Sequence, residues 1–231
     1  MFEIIRSADR GHANHGWLDT RHTFSFADYH NPSRMGFGSL RVINEDVIAP
    51  QSGFGTHPHR DMEIVTYLVS GELAHKDSMG NGSTIRAGEL QRMTAGTGVL
   101  HSEFNRSDEE THLLQIWILP ERTGLEPGYE QKLFPPEAKS NRWCVLASRD
   151  GRDGSLTIHQ DATLLATLLD AGESLEHAFA AGRSGFLQVV EGAVDVSGEH
   201  LSAGDGMAIS DTAAITVTAE DAAELLLFDL A

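Results

Sequence analysis

Glycine-marked turns recur roughly every ten to fifteen residues along this chain, which leaves room only for short extended segments between them. Pro50, Gly53-Phe54-Gly55, Gly71, Gly80-Asn81-Gly82, Gly88, Gly96-Thr97-Gly98 and Gly124 read as turns that separate runs rich in β-branched and aromatic residues, among them residues 41–48, 63–69, 84–87 and 112–119. A helix needs a 3.6-residue apolar period sustained over roughly ten positions or more. Only residues 162–171 approach one, and they read equally well as a strand followed by a turn. Many short strands joined by glycine turns predict an all-β sandwich or barrel architecture.

The pattern occurs twice. Thr66-Tyr67-Leu68-Val69-Ser70-Gly71-Glu72-Leu73, followed by Ala87-Gly88-Glu89, is echoed by Leu187-Gln188-Val189-Val190-Glu191-Gly192-Ala193-Val194, followed by Ala203-Gly204-Asp205. The same order of strand, glycine turn, strand and Ala-Gly-acid turn, repeated after about 115 to 121 residues, predicts two related β domains. Four of the seven prolines (Pro120, Pro127, Pro135 and Pro136) fall in residues 120–152, where extended or irregular backbone is expected to join the halves. We divide the chain into residues 1–130 and 131–231. Residues 224–230 are too apolar for a loose tail and are expected to enter a sheet.

Charge and cysteine content remove whole classes of function. With 17 Lys and Arg against 34 Asp and Glu, the chain carries a net charge of −17 and lacks the basic stripe that direct nucleic-acid binding requires. Cys144 is alone, so an intrachain disulfide and a cysteine-based zinc site are both excluded. No segment reaches the roughly 18 to 20 apolar residues of a membrane span, and the opening residues form no secretory apolar stretch. A cytoplasmic protein, monomeric by default, is expected.

The chemistry concentrates in histidines. His57 and His59 stand two apart around Pro58, and alternate residues of an extended backbone share a face, so both imidazoles can reach one point. With 12 histidines in 231 residues such a pair arises about 0.6 times by chance and needs support from elsewhere. His101 and Glu103 supply it, with the same spacing after another glycine turn. Two such pairs on neighbouring strands would aim three neutral imidazoles and a carboxylate at one divalent first-row ion, with one or two positions left open. Glu63 offers a second carboxylate on the same face, provided that one unbroken strand runs from His57 to Val69.

Four separated segments resemble the pirin family of the cupin superfamily: Arg10 to Phe26, Gly53 to Glu63, His75-Lys76-Asp77-Ser78, and Ala95 to Asn105. The resemblance covers essentially the whole chain. The second cupin motif departs from the usual pattern by lacking its proline, although the spacing of Gly98, His101 and Asn105 is kept. The resemblance implies a bicupin, two jelly-roll-like β-barrel domains packed face to face, with metal held only by the N-terminal one through His57, His59, His101 and Glu103. An ordinary cupin would use Glu63 as its carboxylate. Iron is the ion the resemblance implies, and nickel, cobalt, copper and zinc also suit the ligand set.

Bacterial pirins are similar to quercetin 2,3-dioxygenases, which open a flavonol ring with O2 and release carbon monoxide. A flavonol-like aromatic substrate, O2 and a catalytic Glu103 acting as ligand and base are the corresponding expectations. Nuclear pirins instead act as metal-dependent regulators through a protein partner, the alternative class. The echoed segment from Gln188 to Gly206 holds only His200 and no histidine pair, so the C-terminal domain is expected to lack metal ligands. His12, His15, His22 and His30 read as a hydrogen-bonded loop, His75 and Asp77 as the brace of a turn, and His159 and His177 as surface or hydrogen-bonded residues. Gln115 is a candidate hydrogen-bond partner for a ligand histidine. Phe24, Phe26, Phe37, Met35 and Leu40 are candidate walls for an aromatic substrate.

Overall fold

The computed structural model describes residues 1–231 and separates into two compact units. In chain order the strands are β1 (Phe2–Ile5), β2 (Gly11–Asn14), β3 (Leu18–His22), β4 (Leu40–Ile48), β5 (Ser52–His59), β6 (Glu63–Ser70), β7 (Glu72–Asp77), β8 (Gly82–Arg86), β9 (Glu89–Thr94), β10 (Val99–Asn105) and β11 (Thr111–Ile118). They continue with β12 (Gly128–Leu133), β13 (Cys144–Ser148), β14 (Leu156–Thr157), β15 (Ala162–Leu169), β16 (Ser174–Ala178), β17 (Ser184–Glu191), β18 (Ala193–Val196), β19 (Glu199–Ser202), β20 (Gly206–Ile209), β21 (Ala214–Ala219) and β22 (Ala223–Leu230). The one α-helix is a single turn, α1 (Pro136–Lys139), and no helix is long and apolar enough to cross a membrane.

One unit comprises Gly11–Phe134 with Ile158–Gln160, and the other Met1–Arg10, Pro135–Thr157 and Asp161–Ala231. Residues 1–10, grouped by sequence position with the N-terminal half, belong to the C-terminal unit because β1 pairs along its full length with β20. Each unit contains a seven-stranded and a four-stranded sheet. In the N-terminal unit the orders are β12-β9-β6-β11-β4-β3-β2 and β5-β10-β7-β8; in the C-terminal unit they are β1-β20-β17-β22-β15-β13-β14 and β16-β21-β18-β19. The expected barrels are therefore open sheet pairs. Hydrogen bonding stops at β12 and β2 of one sheet and at β5 and β8 of the other, instead of running round a closed circle.

The two sets of orders match except at one edge, where β14 runs parallel to β13 while β2 runs antiparallel to β3, so the repeat in the sequence is a repeat of architecture. β6, a turn at Gly71 and β7 correspond to β17, a turn at Gly192 and β18, with the two glycines at φ 80° and 79°. A Cβ on Gly192 would stand 2.3 Å from the Ala222 carbonyl oxygen and 2.8 Å from Ala223 Cα; on Gly71 it would stand 2.7 Å from the Glu110 carbonyl oxygen. Both turns thus press against the start of the strand beside them. Gly192→Ala combines a left-handed backbone with a backbone clash, and the expected loss of about 2–4 kcal/mol is readable as a lowered urea midpoint.

Of residues 162–171, Ala162–Leu169 form strand β15, buried on both faces between β22 and β13, and the last two leave the strand. The apolar C-terminal run forms β22 between β17 and β15. Leu187, Val189, Val194, Val217, Leu225 and Leu227 are all fully buried in one cluster. At about 1.5–3 kcal/mol per buried side chain, such residues hold the two sheets of this unit together.

Candidate metal centre

Strands β5 and β10 are antiparallel neighbours in the four-stranded sheet, with His57 opposite His101. Their register shifts between His101 and Glu103, so that Glu103 faces Phe54 instead of Gly55. Gly53 permits this bulge, since a Cβ there would lie 2.2 Å from the Glu103 carbonyl oxygen. The Gly53-Phe54-Gly55 segment is accordingly part of β5 and not a turn before it.

The nitrogens offered by His57, His59 and His101 lie within 4.8 Å of one another. His57 donates from Nδ1 to the Gly55 carbonyl at 2.8 Å, which fixes its tautomer and leaves Nε2 for a ligand. His59 stands edge-on to Trp117 at 5.0 Å between ring centres. Burial, followed by the neighbouring His57, pushes His59 down to about 4, and burial with the nearby imidazoles pushes His101 down to about 3. Both rings are neutral near pH 7, as a metal ligand must be.

His101 is buried and neither of its ring nitrogens has a partner. A polar group buried in this state costs about 1–3 kcal/mol, which a bound ion would offset. The donor set of three imidazole nitrogens beside a carboxylate therefore fits a late first-row divalent ion.

Glu103 groups with His101 and His75, again with donor atoms within 4.8 Å, and not directly with all three of the other expected ligands. Its carboxylate accepts from Gln115 Nε2 at 3.1 Å, with the Thr66 hydroxyl 3.5 Å away and nearer to Gln91 Oε1, at 2.8 Å. Gln115 thus orients the carboxylate and not a ligand histidine. Burial raises Glu103 to about 7, opposed by Gln115 and assisted by nearby Asp46, which itself accepts a hydrogen bond from Thr20. Thr66, Asp46 and Asn44 were not among the candidates from sequence. Their signal is a polar side chain on the buried face of an otherwise apolar strand.

A cavity of about 620 Å³ opens onto His57, His59 and Glu103. Its aromatic walls are Trp17, Phe26, Phe54 and Trp117. Of the five wall residues expected, only Phe26 lines it: Phe24 and Leu40 are core, Met35 is exposed, and the Phe37 backbone pairs with Leu40. His15 and His22 line the cavity, with His22 Nδ1 2.8 Å from Asn44 Oδ1, while His12 pairs with Asp19 at 3.0 Å.

Glu63 lies apart from the histidines. Asp61, at φ 48°, breaks the strand expected from His57 to Val69 into β5 and β6, which belong to different sheets. Fully buried, the Glu63 carboxylate accepts from the Thr94 hydroxyl at 3.0 Å and lies 3.2 Å from His159 Nδ1. Burial raises its pKa against the pull of Arg92, His159 and Thr94. His159→Ala removes one of these partners, and an expected cost of about 1 kcal/mol would show as a lower urea midpoint that His159→Gln partly restores.

The matching strands of the C-terminal unit show what replaces a ligand set. β21 opposes β16 with Ile215 beside His177 and Val217 beside Leu175. Counting strand order and register from the Gly71 and Gly192 turns, Ile215 and Val217 stand where His101 and Glu103 stand. Phe179 takes the place of His59 and His177 that of His57. Ile215, Val217 and Phe179 are buried in the apolar cluster, and His177 Nε2 lies 2.9 Å from Asp229 Oδ2.

Comparison with known proteins agrees with this two-unit reading. The pirin family model matches residues 5–118, and a quercetinase C-terminal cupin domain model matches residues 145–230. The chain is 52% identical over 231 residues to a quercetin 2,3-dioxygenase of Escherichia coli (strain K12), covering 100% of this chain and 99% of the relative. It is 46% identical over 222 residues to a pirin-like protein of Caulobacter vibrioides, covering 96% of each. The crystal structure of the bacterial pirin YhhW from Escherichia coli in complex with nickel(II) superposes with a TM-score of 0.95 at 50% identity, covering 100% of this chain and 99% of the other. Paired sheets in two matching units, with converging histidines in only one of them, and these matches along the full length place the chain in the pirin family, as a bicupin.

Proposed function

We propose that this pirin is a metal-dependent dioxygenase that opens the heterocycle of a flavonol such as quercetin with O2 and releases carbon monoxide. The observation that carries the reading is a buried imidazole with no partner, His101, grouped with two further histidines beside a carboxyl raised to about 7, under a cavity walled by four aromatic rings. The relatives named quercetin 2,3-dioxygenase support the substrate class. We assign His57, His59, His101 and Glu103 as the ligands of one divalent ion. A divalent ion is supported by the donor set and by the nickel-bound relative; iron is our choice for the native ion by family resemblance. When bound, it would supply Lewis acidity toward oxygen donors and a redox path to O2.

The chain's own residues supply the rest. Trp17, Phe26, Phe54 and Trp117 offer flat apolar faces that bury a planar substrate and exclude water. Glu103 is placed to take the proton of the flavonol 3-hydroxyl; burial raises its carboxyl to about 7 without an ion, a bound ion opposes that rise, and approach of the substrate has to restore its basicity. Gln115 holds the carboxylate in position while the proton arrives. The C-terminal unit, with apolar side chains at the equivalent positions, is assigned a structural role.

The test is aerobic turnover of quercetin by metal-reconstituted protein, following loss of flavonol absorbance together with carbon monoxide, with the His57→Ala/His101→Ala double variant as blank. Stoichiometric carbon monoxide that vanishes in the blank supports the reading. No turnover by protein holding one ion per chain overturns it and favours the regulatory class.

A further inference from the structure

His75 belongs to none of the assigned roles, yet it is 3% exposed and lies in the middle of the site. On β7 it stands opposite Glu103, while its neighbour Asp77 stands opposite His101, so His75 is diagonal to His101 on the same face of the sheet. Its ring lies against Tyr129 at 4.9 Å and His101 at 5.4 Å between centres. His75 Nε2 is 3.1 Å from Asp77 Oδ2, and its Nδ1 is buried without a partner.

Asp77 settles the tautomer. Its Oδ1 accepts from the backbone N–H groups of Met79 at 2.9 Å and Asn81 at 3.0 Å, and its Oδ2 accepts from Asn81 Nδ2 at 2.9 Å. A carboxylate ringed by N–H donors is an acceptor throughout, so His75 donates from Nε2 and its Nδ1 presents a lone pair. That lone pair needs a donor. Glu103 as a ligand of the ion is a carboxylate and has none to offer. His101 has one: a neutral imidazole giving one nitrogen to an ion keeps its hydrogen on the other, and both nitrogens of His101 lack partners.

The rings are within reach of such a bond, which is not made as they stand: their centres lie 5.4 Å apart with the planes tilted by 50°, against about 5.1 Å for two imidazoles joined head-on at about 2.9 Å.

We propose that, once an ion is bound, His75 is a positioning residue whose Nδ1 accepts the hydrogen bond of His101's outer ring nitrogen, forming with Asp77 a chain of two hydrogen bonds that fixes which nitrogen His101 offers to the ion. The proposal rests on the reading of His101 as a ligand. Partners of this kind set ligand orientation and basicity, and their loss costs about 10–100-fold in metal affinity.

The test compares nickel(II) affinity, by chelator competition, of the full-length parent, His75→Leu and His75→Gln, with the metal-free melting temperature of each. Glutamine carries an amide donor for Asp77 and a carbonyl acceptor for His101, so it can rebuild both links. The expected result is an affinity loss of about 10–100-fold in His75→Leu, with His75→Gln recovering most of it whatever the melting temperatures do. Parent-like affinity in His75→Leu, or equal losses in both variants, overturns the proposal. Should His75→Leu not fold, NMR of the ¹⁵N-histidine-labelled, zinc-loaded parent decides: a slowly exchanging His101 ring N–H with a cross-peak to His75 is expected, and its absence overturns the proposal. A parent that binds neither ion overturns the ligand reading itself, which is a different result.

Discussion

Glu103→Gln is expected to lower quercetin turnover by about 10²–10⁴-fold, the usual worth of a positioned general base, while the ion stays bound. Glutamine keeps an oxygen at the same place and nearly the same volume, but it cannot take a proton. Metal content measured beside turnover separates the two roles, and equal loss of metal and rate would sink the role as base.

The metal-free protein gives a second, independent signature of the same group. The Glu103 carboxyl is raised from 4.5 to about 7, mainly by burial. The folded state therefore holds this proton more tightly than the unfolded chain. Its contribution to stability is full below about pH 4.5 and is lost as pH rises through about 7, a change worth about 3 kcal/mol. His59 and His101 work in the opposite direction: lowered from 6.5 to about 4 and 3, they contribute stability above pH 6.5 that is lost as pH falls through those values. The difference between parent and Glu103→Gln cancels the histidine contribution. Denaturant melts from pH 4.5 to 8 should show the parent losing about 3 kcal/mol relative to the variant, whereas parallel curves would contradict a raised Glu103.

His101→Leu is expected to abolish stabilisation by metal while leaving the metal-free protein as stable as the parent or more so. Most buried polar side chains lose stability on replacement because a partner is stranded. Without an ion His101 has no hydrogen-bond partner at either ring nitrogen, and the link to His75 forms only when the ion binds, so leucine, of similar size, removes an unmet demand and strands no group that was satisfied. In the parent, free nickel(II) at a thousand times its dissociation constant should add about 4 kcal/mol, and in the variant almost none. Thermal melts with and without nickel check both halves. A metal-free variant several kcal/mol weaker than the parent would show that His101 is held for packing.

The clustering of three histidines was legible because spacing encodes a shared face, His57 with His59 on one strand and His101 with the same two-residue signature on another. The repeat around Gly71 and Gly192 was equally open, since a turn that admits no Cβ leaves a glycine in the sequence. Other features were hidden for physical reasons. Nothing local announces that Asp61 adopts φ 48°, and that one dihedral moves Glu63 into another sheet. The aromatic walls were misassigned because Phe24 and Trp17 look alike in a sequence, and only the assembled sheets decide which faces the cavity. Closed barrels were expected because strand spacing says nothing of whether the last hydrogen-bonded edge is made.

Neither unit is a continuous stretch of polypeptide. A stop codon after Phe134 would release a fragment carrying β1 without the strand it pairs with, and lacking the histidine that faces Glu63. The complementary fragment would leave β20 as a bare edge, a template for joining other chains. If two copies of one ancestral gene were joined here, that union has become irreversible. Each copy now keeps a piece of the other's framework, and the pair is inherited, truncated or lost together.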